Sequence, residues 1–391
     1  MTAARSGYLL LSDISGYTAF LSDSELEHAR DTLTDLLTLL IDHAKPPLLL
    51  SKLEGDAVFS YTWGEDAFKD GQVFVELIEN TYVAFRRAIE LMVMNNTCRC
   101  AACANVSKLD LKFFVHHGTF VQQDLGSQVE LVGTDVNLVH RMMKNSVREA
   151  TGATAYTLYT DAAVRRLAIE AIATTTMTAH TETLDDLGEV RLWVQDMHPV
   201  WERRRDEHRI EFEPRLTEGF DMPLPPDVIW GYLRQPRFRS VLMGVDRVDV
   251  EQRRAGRIGI ESEFQCFHGN HVMTQRIVEW TPFDRIVTQE THTAFPMNKL
   301  TWRSECLLTP TPTGTHLRLS LGQFEGPRLL RTMMPVVLSR HLDDVARNLR
   351  AFAEMIEADW AEHHEAGVAT PVEDLTPESI RQAAGSDLPS H

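Results

Sequence analysis

The chain of 391 residues contains no apolar run of about 18 residues, so no segment is long enough to cross a bilayer as a helix. The opening stretch, MTAARSGYLLLSD, reaches a charged residue too soon to hold the apolar core of a secretory signal. Basic residues are scarce, since 39 Lys and Arg stand against 56 Asp and Glu, giving a formal net charge of −17. This balance argues against broad nucleic-acid binding, but it leaves room for a nucleotide held through a metal ion.

Cysteine is also rare, with five residues in the whole chain. Three of them crowd into CRCAAC, and Cys266 and Cys306 are isolated in strand-like sequence. An odd number in this spacing does not fit a disulfide framework. Together with the missing signal and the missing membrane span, it predicts a reduced, cytoplasmic protein.

The crowded cysteines, Cys98, Cys100 and Cys103, have C-x-C-x-x-C spacing. Three thiols this close can hold a structural zinc ion if a fourth ligand, such as His116 or His117, comes from elsewhere. The alternative is an exposed, reduced loop without metal.

Length and a hydrophobic content of 43% suit two domains with ample cores. Over residues 1–205 the hydrophobic patterns alternate as β-α-β-β-α-β with additions, which predicts a ferredoxin-like α/β sandwich. The charged stretch HPVWERRRDEHR marks a linker or junction. Residues 206–362 then read as a Pro-led helix, a run of antiparallel strands and one long helix. The tail, 363–391, is rich in Pro, Ser and acidic residues, and we expect it to be disordered.

Two aspartates attract attention in the first domain. In YLLLSDISGYTAFL, Asp13 closes an apolar strand, where an unpaired carboxylate is expensive. In KLEGDAVFS, Asp56 stands at a tight turn between two strands. Each alone is more often a strand cap or turn residue than a ligand. Two carboxylates at neighbouring strand ends, however, can hold Mg²⁺ or Mn²⁺ through oxygen ligands.

Two further features suit phosphate and ribose. Gly16 permits a tight turn after Asp13, and the helix that follows offers free N–H groups, although an ordinary strand-to-helix turn looks the same. In VGTDVNLVHRMMK, Asn137 and Arg141 are four residues apart and share one helix face. Such a pair can hold a ribose oxygen and a charged phosphate, or it can be part of a solvated face.

Taken in order, SDISGYTAFL, KLEGDAVF, FFVHHGTF and LVGTDVNLVHRM resemble the class III nucleotidyl cyclase catalytic domain over about residues 7–195. The resemblance implies that Asp13, Asp56 and the carbonyl of Ile14 bind two metal ions, Mg²⁺ or Mn²⁺, in a two-metal phosphoryl-transfer mechanism. It also implies a phosphate-binding turn formed by Gly16, Tyr17 and Thr18.

The same resemblance implies that Asn137 orients the ribose and that Arg141 stabilises phosphate charge in the transition state. Lys52 and Glu130 fall at the two purine-contacting positions, a pair closer to the ATP pattern than to the GTP pattern. Leu187 falls where the family has a phosphate-binding lysine, so one cation is missing. Sites of this family form between two catalytic domains, which implies a homodimer.

The order of elements in residues 206–362 resembles the START-like, or polyketide cyclase/SRPBCC, helix-grip fold. That resemblance implies a long helix over an antiparallel sheet and a cavity for an apolar small molecule or a lipid. The helix has an apolar stripe suited to this task, formed by Met333, Val337, His341, Val345 and Leu349. No catalytic constellation accompanies it.

Two functions follow from these patterns. The first is a cyclase that converts ATP into cyclic AMP and pyrophosphate, regulated through an apolar ligand in the second domain. The second is a binding protein that holds a nucleotide without turnover and carries a small molecule in its second domain. Leu187 favours the second function, whereas the retained Asn137 and Arg141 favour the first.

Overall fold

The structure is a computed structural model that describes residues 4–22, 26–44, 47–64, 67–68, 70–94, 105–124, 129–184, 187–206, 209–250, 257–269, 271–295, 298–325, 332–333, 336, 339 and 342–363. The chain divides into two compact units, one ending at Glu207 and the other spanning His208–His363. The cysteine motif of Cys98, Cys100 and Cys103 and the tail after His363 lie outside the described residues, so their zinc and disorder assignments remain predictions. No helix in these described ranges is both long enough and apolar enough to cross a membrane.

The first unit opens with the predicted β-α-β-β-α-β order. Its first elements are β1 (Arg5–Ser15), α1 (Tyr17–Ser22), α2 (Leu26–His43), β2 (Leu48–Glu54), β3 (Ala57–Thr62), α3 (Gly71–Met94) and β4 (Asp110–Asp124). These strands lie in the order β2-β3-β1-β4, and every neighbouring pair is antiparallel. β1 is therefore an inner strand, bonded on both edges.

The rest of the first unit extends this sheet. The elements are β5 (Val129–Val132), α4 (Thr134–Met142), α5 (Val147–Thr151), β6 (Tyr156–Thr160), α6 (Asp161–Arg166), α7 (Glu170–Thr176), β7 (Thr178–Leu184), β8 (Gly188–Asp196) and α8 (His198–Asp206). β6 pairs parallel with β4, and β8 and β7 follow antiparallel, while β5 pairs with β4 off the main order. Strand β7 was not predicted from the sequence.

The stretch HPVWERRRDEHR, predicted to mark a linker or junction, is largely helical. Its first nine residues form α8, and the chain divides into its two units after Glu207, within this stretch. Val200 and Trp201 are buried there, and the side chain of Asp196 accepts a hydrogen bond from the backbone N–H of His198 at 3.1 Å. Two adjacent buried residues produce no helical periodicity in the sequence. The neighbouring arginines therefore made the segment resemble an exposed linker.

One face of the first sheet packs against α4 and α5. The inward residues of that helix pair and of the strands beneath form a continuous cluster of buried side chains: Leu9, Leu11, Ala57, Phe59, Tyr61, Phe114, Phe120, Leu131, Val136, Val139, Met142, Val147, Ala153, Tyr156, Leu158, Leu184, Leu192 and Val194. We call this set the α4 core. Because side chains alternate along a strand, Asp13 lies on the same face of β1 as Leu9 and Leu11, at the edge of the α4 core.

The second unit is an antiparallel sheet with helices. Its elements are β9 (Pro214–Met222), α9 (Pro226–Leu233), α10 (Pro236–Met243), β10 (Arg247–Val250), β11 (Glu263–His268), β12 (His271–Thr281), β13 (Arg285–Phe295), β14 (Asn298–Thr311), β15 (Gly314–Glu325) and α11 (Leu342–His363). Strands β10 to β15 follow one another in space, and β9 pairs with β15. Proline at the first turn of α9 and of α10 costs no hydrogen bond there, which explains both helix starts. The mixed α+β class is confirmed, and membership of the START-like family stays a prediction.

The predicted stripe of the long helix is correct only in part. Leu349 is buried in α11, and Val345 lines a cavity described below. Met333 is 50% exposed, so it does not belong to the core. Val337 and His341 lie outside the described residues.

Candidate functional site

The structure brings Asp13 and Asp56 to neighbouring strand ends. Asp13 of β1 pairs with Ala57, the first residue of β3, and the backbone N–H of Ile14 donates to the carbonyl of Asp56 at 3.2 Å. A two-residue turn, in which Gly55 has a positive φ of 61°, joins β2 to β3 and carries Asp56. The predicted hairpin is present, and it brings Asp56 next to the end of β1 that carries Asp13.

Sequence reasoning missed a lysine beside this pair. Lys112 of β4 lies directly opposite Asp13 in the ladder of β1 and β4, and directly opposed residues face the same side of a sheet. Burial raises the pKa of Asp13, and the charge of Lys112 opposes that rise. The ammonium of Lys112 also lies 5.2 Å from the ring centre of Tyr156. In the sequence, Lys112 could have been recognised as a charged residue within the otherwise apolar strand LKFFV.

The turn after Asp13 has the conformation that glycine favours. Gly16 has a φ of +86°, and a Cβ there would lie 3.1 Å from the carbonyl oxygen of Lys108. The helix that follows, α1, has six residues. Tyr17 is buried and Thr18 is exposed, so the Tyr17 side chain serves the core.

Lys52 and Glu130, predicted to contact the purine, lie together. The ammonium of Lys52 is 2.9 Å from the Oε2 of Glu130 and 3.0 Å from the Oε1 of Glu54. Burial lowers the pKa of Lys52, but hydrogen bonds to Glu130 and Glu54 outweigh it, so the pKa of Lys52 is raised overall. All three side chains remain about one-third exposed, so they are accessible to a ligand.

Glu54 continues this network to helix α4 and was also missed. Its Oε2 lies 3.1 Å from the Nδ1 of His140, whose ring packs 5.0 Å from that of Phe59. Burial raises the pKa of Glu54, yet hydrogen bonds from His140 and Lys52 bring it below its ordinary value. Because Glu54 precedes Asp56 by two residues and His140 precedes Arg141, this contact ties the carboxylate hairpin to the helix of Arg141.

Asn137 and Arg141 share one face of α4, as their spacing predicted, and both residues are exposed. The opposite face of the helix, formed by Val136, Val139 and Met142, is buried in the α4 core. The helix thus has a fixed seat and presents its polar pair outward.

The first turn of α4 is also pinned to β4. Asp135 accepts a hydrogen bond from the backbone N–H of Thr119 at 2.6 Å and lies 3.3 Å from the Nε2 of His116. The other ring nitrogen of His116 is 2.9 Å from the hydroxyl of Thr160. Burial lowers the pKa of His116, and Asp135 opposes this. His116 is therefore engaged inside the first unit, which argues against its prediction as a zinc ligand.

Gly118 leaves the space that Asp135 occupies, so Gly118→Ala is expected to destabilise the first unit. A Cβ at this position would lie 2.4 Å from the Cγ of Asp135, and relieving such overpacking costs about 1–3 kcal/mol. Urea unfolding followed by circular dichroism measures the change. Gly259→Ala is the control, because a Cβ there meets its nearest atom at 3.9 Å. Equal midpoints for Gly118→Ala and the wild type would contradict the expected clash between the new Cβ and Asp135.

Leu187 occupies the position at which the resemblance calls for a lysine. It lies just before β8, is partly buried and packs against the α4 core. Its backbone N–H donates to the carbonyl of Leu184 at 3.1 Å. This side chain supports packing and cannot supply positive charge.

The chain is similar to several known proteins. Residues 33–151 match the family described as "Protein of unknown function (DUF2652)". Over 115 residues the chain is 36% identical to the Uncharacterized protein Rv2561/Rv2562 of Mycobacterium tuberculosis, covering 29% of this chain and 52% of that protein. The chain thus spans about half the length of the curated relative that it matches.

Among solved structures, the chain is similar to the adenylyl cyclase CyaB from P. aeruginosa, at 17% identity and a TM-score of 0.39, covering 50% of this chain and 96% of that chain. A bacterial light-regulated adenylyl cyclase gives 10% identity and a TM-score of 0.39, covering 50% and 54%. An adenylate cyclase from Trypanosoma brucei, in its monomeric state, gives 16% identity and a TM-score of 0.35, covering 50% and 89%. All three resemblances are distant.

Proposed function

We propose that the first unit is a nucleotidyl cyclase of the class III type, which converts ATP into cyclic AMP and pyrophosphate. The observation that carries the proposal is the pairing of Asp13 with the Asp56 hairpin at one end of an inner strand. Lys112 faces the same side from β4. A buried carboxylate is costly, and a metal ion in this place offsets that cost.

The donor set fits Mg²⁺ or Mn²⁺ bound together with substrate phosphates. Asp13, Asp56 and the Ile14 carbonyl are all oxygen donors, and Mg²⁺ usually takes one or two carboxylates and fills its remaining positions with water and phosphate. Among the described residues no group of three or more His, Cys, Asp or Glu side chains is arranged to hold a metal alone. When bound, the metal polarises the phosphates and lowers the pKa of the attacking ribose hydroxyl.

The remaining chemistry falls to positive charge and orientation. In the proposed reaction the ribose 3′-oxygen bonds to the α-phosphorus, the bond from the α-phosphorus to the bridging oxygen breaks, pyrophosphate leaves, and the hydroxyl proton passes to solvent. Asn137 holds the ribose, and Arg141 stabilises the charge on the phosphates. Lys112, opposite Asp13, provides a second cation beside the proposed metal-binding aspartates, and Leu187 provides none.

The proposed base selectivity rests on the pair of Lys52 and Glu130. An adenine presents an exocyclic amino group, which donates to Glu130, and a ring nitrogen, which accepts from Lys52. Glu54 holds the ammonium of Lys52 beside Glu130. We expect ATP to be preferred over GTP for this reason.

Two copies of the chain complete the proposed site. Asn137 and Arg141 lie outward on α4, whereas Asp13 lies at the edge of the α4 core. In a homodimer in which each α4 faces the aspartates of its partner, Asn137 and Arg141 of one copy and the two aspartates of the other copy contact the same substrate. The second unit, with its own cavity, is proposed to bias this assembly through a small-molecule ligand.

A second candidate function is favoured by Leu187. Without a lysine at that position, the first unit holds a nucleotide and metal but does not cyclise it. The two candidates differ in product formation and agree in nucleotide binding.

One experiment separates them. The full chain is incubated with Mn²⁺ and either ATP or GTP, and cyclic nucleotides are measured by mass spectrometry. We expect cyclic AMP as the main product, and we expect it to disappear in Asp56→Ala. Nucleotide binding without any cyclic product would support the second candidate, and failure to bind either nucleotide would overturn both.

A further inference from the structure

A cavity in the second unit carries a further inference. It has a volume of about 240 Å³ and is lined by strands of the sheet and by α10 and α11, including Leu242, Trp302, Leu319 and Val345. Helix α11 packs on α10 and β9, next to this cavity. An apolar cavity of about 150 Å³ is large enough for benzene, so this one has room for about ten carbon atoms.

Buried polar groups lie in the cavity wall. Arg239, 6% exposed, donates to the Oε1 of Gln275 at 2.8 and 3.3 Å and to the carbonyl of Leu233 at 3.4 Å. Gln275 in turn donates to the Oε1 of Glu290 at 2.9 Å, and the hydroxyl of Ser304 donates to the same oxygen. A positive group and a carboxyl group thus share the cavity wall, and an amide separates them.

This wall leaves hydrogen-bonding capacity inside the cavity. A guanidinium has more N–H groups than the three hydrogen bonds that Arg239 makes to described residues. An N–H group left without an acceptor in a buried place is expensive. An oxygen atom of a ligand beside Arg239 would accept from it and remove that cost.

Charge narrows the choice of ligand. An anionic ligand would meet the carboxylate of Glu218 and the carboxyl group of Glu290, whose pKa is raised by burial, and a cationic ligand would meet the buried guanidinium of Arg239. Glu305 also lines the cavity, but it is engaged by Arg285 at 2.6 Å and Arg318 at 3.4 Å. A neutral ligand avoids both repulsions and still supplies an oxygen.

We propose that this cavity binds a neutral, largely apolar molecule of about ten carbon atoms that carries one hydroxyl or carbonyl oxygen. The oxygen accepts a hydrogen bond from Arg239, and the apolar body lies among the leucine, tryptophan and valine side chains. This inference rests on the small-molecule cavity proposed for the second unit and specifies its ligand. The nucleotide site is separate, so cyclic AMP formation can fail while the ligand binds, and ligand binding can fail while cyclic AMP forms.

The test uses the full chain and four probes that share one bicyclic skeleton: 1-naphthol, naphthalene, 1-naphthoate and 1-naphthylmethylammonium. Isothermal titration calorimetry at neutral pH measures their affinities. We expect 1-naphthol to bind in a one-to-one ratio, about tenfold or more tighter than each of the other three. Tighter binding of either charged probe, equal binding of naphthalene, or no binding of 1-naphthol would each overturn the proposal.

Two matched variants locate the site. Val345→Trp fills the cavity and is expected to weaken 1-naphthol binding about tenfold or more. Val272→Trp adds the same bulk at an exposed position of β12 and is expected to leave the affinity unchanged. Arg239→Met removes the guanidinium and is expected to make 1-naphthol bind like naphthalene, and the tryptophan pair keeps the test valid if that variant does not fold. Unchanged affinity in Val345→Trp would place the binding elsewhere and overturn the proposal.

Discussion

Replacing Asp13 by asparagine is expected to lower cyclic AMP formation about 100-fold or more, because the loss of a metal-binding charge removes several kcal/mol of transition-state stabilisation. Asparagine keeps the shape of the side chain and its place opposite Ala57 and Lys112. The loss therefore reports on charge rather than on packing. Initial rates with Mn²⁺ and ATP measure it.

Stability separates this outcome from misfolding. Burial raises the pKa of Asp13, so the ionised carboxylate works against folding at neutral pH, and asparagine removes that penalty. We expect Asp13→Asn to melt at the same temperature as the metal-free wild type or higher, and to lose the stabilisation that Mn²⁺ gives the wild type. Asp31→Asn, on the exposed part of α2, is the control and should keep both activity and metal response. A fully active Asp13→Asn would contradict the proposal that Asp13 and Asp56 together bind the metal.

Lys112→Met is expected to lower kcat about 100-fold, the usual cost of removing one group that stabilises developing transition-state charge. The side chain faces the same side of the sheet as Asp13, and no lysine stands at position 187 to share the task. Binding of the nucleotide should change less than kcat, because the charge on the leaving pyrophosphate is greatest in the transition state. Steady-state kinetics with ATP separate kcat from KM.

Lys112→Arg is the matched variant, since it keeps the positive charge on a long side chain. We expect it to retain most of the activity, while both variants unfold at similar urea concentrations. If the arginine variant were as slow as the methionine variant, the role of Lys112 would be one of shape and packing on Tyr156. If neither variant changed the rate, Lys112 would have no part in the reaction.

Local sequence signals predicted the parts of the site that short-range geometry determines. A Gly-Asp turn between two apolar strands defines its own hairpin, so the position of Asp56 could be predicted from eight residues. Spacing of four residues placed Asn137 and Arg141 on one face of α4 for the same reason. The order of the first six elements likewise follows from alternating periodicities.

The missed residues depend on pairing between distant segments. Lys112 lies opposite Asp13 through a strand register that spans about a hundred residues of sequence, and no local pattern specifies that register. The contact of Glu54 with His140 joins β2 to α4 across a similar separation. In the second unit, Arg239 and Gln275 read as surface residues from their polarity, and only the packing of the sheet against its helices shows them buried. A hydrophobic pattern does not distinguish polar residues buried inside a fold from polar residues at its surface.

The inner position of β1 has a consequence for how the site fails. Local openings of a native protein begin at frayed ends and loops, whereas a strand bonded on both edges separates only when much of its sheet does. Asp13 sits on such a strand, between β3 and β4. Its backbone amides should therefore exchange their hydrogens among the slowest in the first unit. The carboxylate of Asp13 is thus built into the last part of the unit to open, and a chain folded enough to retain its sheet retains the position of Asp13.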